Sequence, residues 1–484
     1  MKLDNLLLSR RAFLRNAMIA GGGVLLAACA PKAATPAEAP AGEAPGGEAP
    51  GGEAPGGEAA EAPTMQAPTA AVPAEKPKVT IRVQTPARPN TIPMMNLTIE
   101  RYKETNPEVE VISEETIYDE IATKTQTGFV SGTLQDVVYG HHRWYAYGCY
   151  MGIYRPIDDY LQSSPPDDFE DFFPAPMEAN KFEGKQYSLP HFVHPGSNIL
   201  MVYNKTLLQE FGLQDPPRDW TYDDLADMAL KCTDKERGIF GVSWVVTDFH
   251  KYGQYTRSWG EPTFDDKSGW LLSEDGKTFR FLENEEAAKL YIDLRKAGAA
   301  PGPADQVEGT MGLFGAGRQV FLGGQIQNAV TAKNTVGDAF EIGYQLRPLG
   351  PKGRASTCNE GNQWMINSQS KNPDVAWDFL KAVTGKEVVI FGILEGGLQP
   401  ARRSAWLDPA VLEKFPVYKD GAEVIDQGLE PFPMPWNLRF VEANDVFNNE
   451  AAPIWSLEKT WEEQAPVVQK NVQQILDMER PPKL

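Results

Sequence analysis

Beyond residue 78 the chain alternates short runs of period-two hydrophobicity with longer runs of helical spacing. Lys78-Val79-Thr80-Ile81-Arg82-Val83 places an apolar side chain at every second position, the pattern of a half-buried strand, and Pro93 to Asn106 has the spacing of a helix. Val109 to Ile112 then reads as a strand, Tyr118 to Ser131 as a helix, and Gln135 to Tyr139 as a short strand. This alternation predicts an α/β fold with a mainly parallel sheet covered by helices. Ligands of such sheets sit at the carboxyl ends of strands, which singles out Thr85-Pro86-Ala87-Arg88 and Tyr139-Gly140-His141-His142-Arg143-Trp144. Farther on, Thr221 is set to cap a helix with Asp223 and Asp224 in its first turn, near the positive end of the helix dipole. Trp220 is assigned to packing of that helix. Trp377, on the amphipathic stretch 372–383, is assigned to the core.

Ahead of residue 79 no such periodicity exists. Arg10 and Arg11, with Phe13-Leu14 close behind, resemble a twin-arginine export signal. The apolar stretch Ala17 to Ala28 is too short for a permanent span, which takes about 18–20 residues. Leu26-Ala27-Ala28-Cys29 resembles the lipobox of bacterial lipoproteins, in which the Cys is acylated. Residues 1–28 therefore read as a signal peptide and Cys29 as the lipidation point. Residues 29–78 repeat Glu-Ala-Pro-Gly-Gly units with almost nothing to bury, so a disordered tether is expected there. The expected location is the extracytoplasmic face of the cell membrane, held by the lipid alone.

Composition narrows the partners. With 46 Lys+Arg against 66 Asp+Glu, the formal charge of −20 argues against nucleic acid and against electrostatic adhesion to anionic lipid. The signal carries four basic residues and one acidic, and the tether three Lys and seven Glu, leaving −19 on residues 79–484. The acidity thus belongs to the body. With Cys29 acylated, Cys149, Cys232 and Cys358 form an odd set without a CxxC: one disulfide at most, at least one free thiol, and no thiolate metal site.

Several blocks then share one order. Gly184-Lys185-Gln186-Tyr187-Ser188-Leu189-Pro190, the turn Tyr203-Asn204-Lys205, Gly212-Leu213 and Pro216-Pro217-Arg218-Asp219-Trp220-Thr221 resemble the extracellular solute-binding proteins of sugar ABC importers, the class that includes maltose-binding protein. Ser131-Gly132-Thr133-Leu134-Gln135-Asp136-Val137-Val138 is similar to the family's Gly-x-x-Pro-Asp-Val-Val segment, with Gln135 where Pro is usual. Phe314 to Val320, Ser370 to Leu380 and Leu398 to Arg402 also resemble family blocks. The resemblance implies a two-lobed periplasmic-binding-protein-like fold of type II with a hinge between the lobes. It places an N-terminal lobe at 79–190 plus 355–405 and a C-terminal lobe at 191–354 plus 406–484, with crossings near Leu189-Pro190, 350–357 and 400–406.

A sugar presents flat apolar faces edged with hydroxyls, so its site wants aromatic platforms beside planar polar groups. The aromatic candidates are Tyr139, Trp144, Trp244, Trp259 and Trp436. The polar ones are Arg88, His141, His142, His191, Asn328 and Asn362, with Gly361 allowing close backbone approach to the ligand. A zinc site at His191 and His194 is not expected, because Pro195 interrupts the segment, and His141 and His142 at a strand end should point opposite ways. No metal and no cofactor are expected.

The function implied is capture of a carbohydrate in the interlobe cleft and its delivery, by a monomer, to the permease subunits of an ABC importer whose ATPase is a separate chain. No GxSxG, HExxH or GxxxxGK[ST] motif is present, and the chain is not expected to be an enzyme. Two alternatives stay open. A tethered glycoside hydrolase would need two carboxylates flanking the scissile bond. A binder of glycerol phosphodiesters would need a basic cluster, for which only Arg88, Arg143 and the nearby histidines are at hand.

Overall fold

Ile81 and Val83 are fully buried and Thr80 is exposed, so the alternation in the sequence becomes a strand, Val79–Pro86. The computed structural model describes residues 79–88, 91–193, 200–243, 248–259, 271–273, 275–305, 307, 311–351, 353, 361–426 and 437–483, without the side chains of His250 and Gln254. All belong to the unit 74–484. The expected signal and tether, with Arg10, Arg11 and Cys29, lie outside the described residues, as do His194, Trp244, Cys358 and Trp436.

The strands that carry the two main sheets are β1 (Val79–Pro86), β2 (Val109–Thr116), β3 (Val137–His141), β4 (Ser188–Val193), β5 (Leu200–Asn204), β6 (Phe240–Ser243), β7 (Gln319–Gly324), β8 (Ile342–Leu346) and β9 (Gly361–Ile366). The first sheet has the order β2-β1-β3-β9-β4 and the second β8-β5-β7-β6. β1 pairs in parallel with β2 along its length and with β3 through Val83 and Val137. Helices Ile92–Thr105 and Ile121–Ser131 make the return crossings that parallel pairing requires. The first sheet is mixed, not mainly parallel. β9 enters after the chain has built the second sheet, starts at the carboxyl edge of β3 and so runs antiparallel to it, with Asn362 opposite His141. β4 stays in the first sheet as far as Val193, which lies opposite Gly361. The crossing to β5 therefore follows Val193 and does not fall at Leu189-Pro190.

The turn that delivers β3 is tied down by polar side chains. Asp136 accepts the Arg82 N–H at 2.9 Å and the Ser370 hydroxyl at 2.6 Å. Gln135 donates its amide to Glu114 at 2.7 Å, and Glu114 also takes a guanidinium N–H of Arg82 at 2.9 Å. Gln135 thus anchors the loop to β2 by a hydrogen bond that a proline there has no donor to make. In the second sheet Thr221 caps the helix Tyr222–Lys231 in a reciprocal box with Asp224, as its sequence indicates. Trp220 is fully buried and donates to the Leu346 carbonyl at 2.7 Å. Trp377 is buried on the helix Pro373–Val383, with its N–H on the Ser164 carbonyl at 2.9 Å.

One apolar cluster runs from Ile81, Val83 and Trp364 through Ile393, Leu398 and Trp406 to Ile326 and Tyr418, on one face of the second sheet. A second cluster, including Trp220, Tyr252, Phe447 and Val468, fills the other face under the helices Phe440–Trp455 and Trp461–Leu476. Cys149 and Cys232 are buried free thiols.

Candidate ligand-binding cleft

The carboxyl ends of β1, β2, β3 and β4 and the amino end of β9 share one edge of the first sheet, as the registers Thr85 with Glu115, His141 with Asn362 and Val193 with Gly361 require. Arg88 and Tyr118 follow β1 and β2, and the helix His142–Tyr150 starts directly from β3. In the second sheet, Leu200, Ser243, Gly324 and Leu346 share an edge by the same reasoning. The helices Phe249–Thr256 and Ile326–Val336 start from it, capped by Asp248 and Gln325. Arg143 of the first edge reaches Asp248 of the second at 3.1 Å, so the two edges face each other.

On the first edge the side chains form a continuous group. The Arg88 guanidinium carbon lies 3.4 Å from the centre of the Tyr118 ring, a cation stacked on an aromatic face. His141 meets Tyr118 edge to face at 5.9 Å, and Trp144 lies 6.2 Å from Tyr118 and 5.2 Å from His141. The Asn362 amide donates to the Tyr118 hydroxyl at 2.9 Å and to the Gly140 carbonyl at 3.1 Å, which leaves its oxygen as an acceptor. Behind them Tyr139, His191 and Trp364 pack ring against ring at 4.7–5.6 Å. His191 is 1% exposed, neither ring nitrogen has a hydrogen-bond partner among the described residues, and burial lowers its pKa to about 3, so the ring is neutral. The indole N–H groups of Trp144 and Trp364 and the Arg143 Nε are likewise buried without partners among the described residues. So is the side-chain amide of Gln399, whose backbone carbonyl takes the Val193 N–H at 2.8 Å. Orphan donors are uncommon in a native interior, and several of those among the described residues lie at or behind this edge.

Electrostatics at this edge runs against the acidity of the body. Burial pulls the Lys251 pKa down, Asp248 pushes it up, and Arg143 and Arg88 pull it down again. Burial raises the Tyr118 pKa against the opposing influence of Arg88, so its hydroxyl stays protonated.

Arg88, Tyr139, His141, His142, Trp144, His191 and Asn362 are therefore brought together, with Tyr139 as a wall behind the group. Two expectations need correction. His141 and His142 do not point opposite ways: their rings lie 3.8 Å apart, because the strand ends at His141 and the helix begins at His142, which cancels the alternation. Gly361 serves strand packing and not ligand approach, since a Cβ there would sit 2.0 Å from the Phe192 carbonyl oxygen. Asn328 stands at the second edge but is committed to the helix cap, its oxygen accepting the Gln325 N–H at 2.6 Å. Trp259, half-buried, packs at 4.8 Å against both Tyr222 and Tyr255 on the second lobe. The sequence reading missed Tyr118, Asp248, Lys251, Trp364 and Gln399. Asp248-Phe249-His250-Lys251, a capping Asp soon after a strand, carries a legible signal for two of them.

Residues 89–390 match the model of the bacterial extracellular solute-binding protein family. The chain belongs to that family. A protein of Brucella abortus described only as a binding protein is 28% identical over 293 residues, 58% of this chain and 66% of the relative, so the chain spans just under two thirds of its length. The erythritol/L-threitol-binding protein of Mycolicibacterium smegmatis is 25% identical over 317 residues, 59% of this chain and 62% of that one. Among solved structures, the ABC substrate-binding protein of Listeria monocytogenes in complex with cycloalternan superposes with a TM-score of 0.71 at 19% identity, covering 83% of this chain and 100% of that one. A solute-binding protein of Agrobacterium vitis with bound D-mannitol gives 0.66 at 19% identity, covering 82% and 97%. The fold is the two-lobed type II periplasmic-binding fold, as the resemblance implied. The family and the neighbours are binding proteins.

Proposed function

We propose that this member of the solute-binding family captures a sugar or oligosaccharide between the two sheet edges and hands it to an ABC permease. The observation that carries the reading is the group Arg88, Tyr118, His141, Trp144 and Asn362, aromatic faces and polar groups together on one edge, opposite Asp248 and Lys251 on the other. The bound solutes named for the relatives, polyols and glucans, support the same class. Anchoring through Cys29 after twin-arginine export, with residues 29–78 as the tether, is part of the proposal. So is the division into lobes close to 79–190 with 355–405 and 191–354 with 406–484, the first crossing being moved past Val193. Binding requires no chemistry from the protein. Asp248, a carboxylate of the second edge, is engaged by Arg143, which leaves it poorly placed to serve as one of a hydrolase's two carboxylates.

Thermal unfolding of the purified protein against sugars, polyols and oligosaccharides tests the reading. A ligand at a hundredfold its Kd adds about 2.7 kcal/mol, and a selective shift without turnover is the expected result. Release of product from an oligosaccharide would transfer the protein to the hydrolase class.

A further inference from the structure

Tyr118, Lys251 and their neighbours set an electrostatic problem that a neutral sugar does not answer. Arg88 and Lys251 have no carboxylate in ion-pair contact among the described residues, and Arg143 has one, Asp248. Among the described residues the charged groups bearing on Lys251 are one carboxylate and two guanidiniums, and those bearing on Tyr118 are both guanidiniums. Asp119 and Glu120, next after Tyr118, are exposed, where solvent screens them. The described part of a body of net charge −19 thus sets three cations around one carboxylate where the two edges meet.

Hydrogen-bond chemistry points the same way. A sugar hydroxyl both donates and accepts, so a site for neutral sugar mixes donors with acceptors. Among the described residues, Arg143 Nε and the Trp144 indole N–H are buried donors with no partner, and the Arg88 guanidinium, stacked on Tyr118, and the Lys251 ammonium have no carboxylate in ion-pair contact. Asn362, with its donors committed to Tyr118 and Gly140, adds one acceptor oxygen to this set of donors. The helices His142–Tyr150 and Phe249–Thr256 both begin at this place and add the positive ends of their dipoles. The buried His191, without a hydrogen-bond partner among the described residues, lies in the electrostatic field of Arg88. A donor-rich cationic edge complements an oxyanion, which only accepts.

We infer that the solute carries an anionic group, a phosphate ester or a carboxylate, held by Arg88, Arg143 and Lys251 where the two sheet edges meet. The inference rests on the solute-binding reading and deepens it: the ligand is an acidic sugar or polyol derivative.

The experiment is calorimetric titration of the full chain with matched pairs: glucose against glucose 6-phosphate and glucuronate, and glycerol against glycerol 3-phosphate. The expected result is that a charged member binds at least tenfold more tightly than its neutral counterpart and weakens as salt rises from 50 to 500 mM. Phosphate and carboxylate arms separate the two oxyanions. Arg88→Gln and Lys251→Gln should each cut the charged member's affinity about tenfold and flatten its dependence on salt. The salt slope on the unaltered protein gives the same readout without any substitution, should a variant fail to fold. Equal or tighter binding of the neutral members, independent of salt, overturns the charge inference and leaves the solute-binding reading standing. Absence of binding by every charged member overturns the inference whatever the neutral ones do, and silence of both sets counts against the sugar reading as well.

Discussion

His191 shows how a single side chain ties the site to stability. An unfolded histidine takes up a proton near pH 6.5, whereas burial and the nearby Arg88 hold the folded one to about 3. Between these values the unfolded chain binds more protons, so stability is complete above about pH 6.5 and falls as the pH drops toward 3, by up to about 1.4 kcal/mol per unit. Urea midpoints measured from pH 7 to 5 should fall for the native chain and fall less for His191→Phe, which keeps a ring between Tyr139 and Trp364 but cannot titrate. Identical slopes would assign the acid sensitivity to other groups. Gly361 is equally specific. An added Cβ would press on the Phe192 carbonyl oxygen at 2.0 Å, in a stretch where the register already shifts between Asn362 and Gln363. Gly361→Ala should therefore cost about 1–3 kcal/mol, read as a lowered unfolding midpoint. The position of Arg88, His141 and Trp144 on one edge was legible because they follow or end strands, whereas the place of Asn362, at the start of β9 opposite His141, was not. The roles of Gly361 and Asn328 were not, because the backbone atoms they serve are fixed only by tertiary pairing and capping.

At the scale of elements, legibility followed sequence distance. β1, β2, β3 and the helices between them are local, and each announced itself by its own period. β9 did not reveal its place, since it pairs with β3 and β4 from more than 160 residues away and takes its direction from the edge at which the chain returns. The spacing predicts a helix that starts at Tyr118. In the structure Tyr118 opens a short 3-10 turn, Tyr118–Glu120, ahead of the helix Ile121–Ser131, and its ring is left at the sheet edge under Arg88. The helix Tyr222–Lys231 matches its sequence most closely because capping is chemistry between residues three apart: Thr221 and Asp224 bond reciprocally at 2.8 and 3.2 Å. Thr221→Ala should lose about 1 kcal/mol while Thr221→Ser loses little, measured by chemical denaturation. Equal losses would mean that the threonine methyl, not the cap, is what the fold uses.

The whole molecule turns on how two sheets built from interleaved segments meet. Arg143 starts from the carboxyl edge of the first, Asp248 from the edge of the second, and both oxygens of Asp248 lie within 3.3 Å of one guanidinium nitrogen. Their side chains are 30% and 19% exposed, so solvent weakens the pair, and a value of about 0.5–1 kcal/mol is appropriate. That amounts to about a two- to fivefold bias toward the closed arrangement, small enough for a ligand to dominate yet large enough to measure. Asp248 also caps its helix by accepting the Lys251 N–H at 3.2 Å. Asp248→Asn removes the charge and keeps a competent cap, which separates closure from helix stability. Ligand-free scattering should show a larger radius of gyration for Asp248→Asn and for Arg143→Gln than for the native chain, with the double variant no larger than either single one. A double variant whose expansion equals the sum of the two would mean that each residue acts alone, and the bridge would then play no part in closing the cleft.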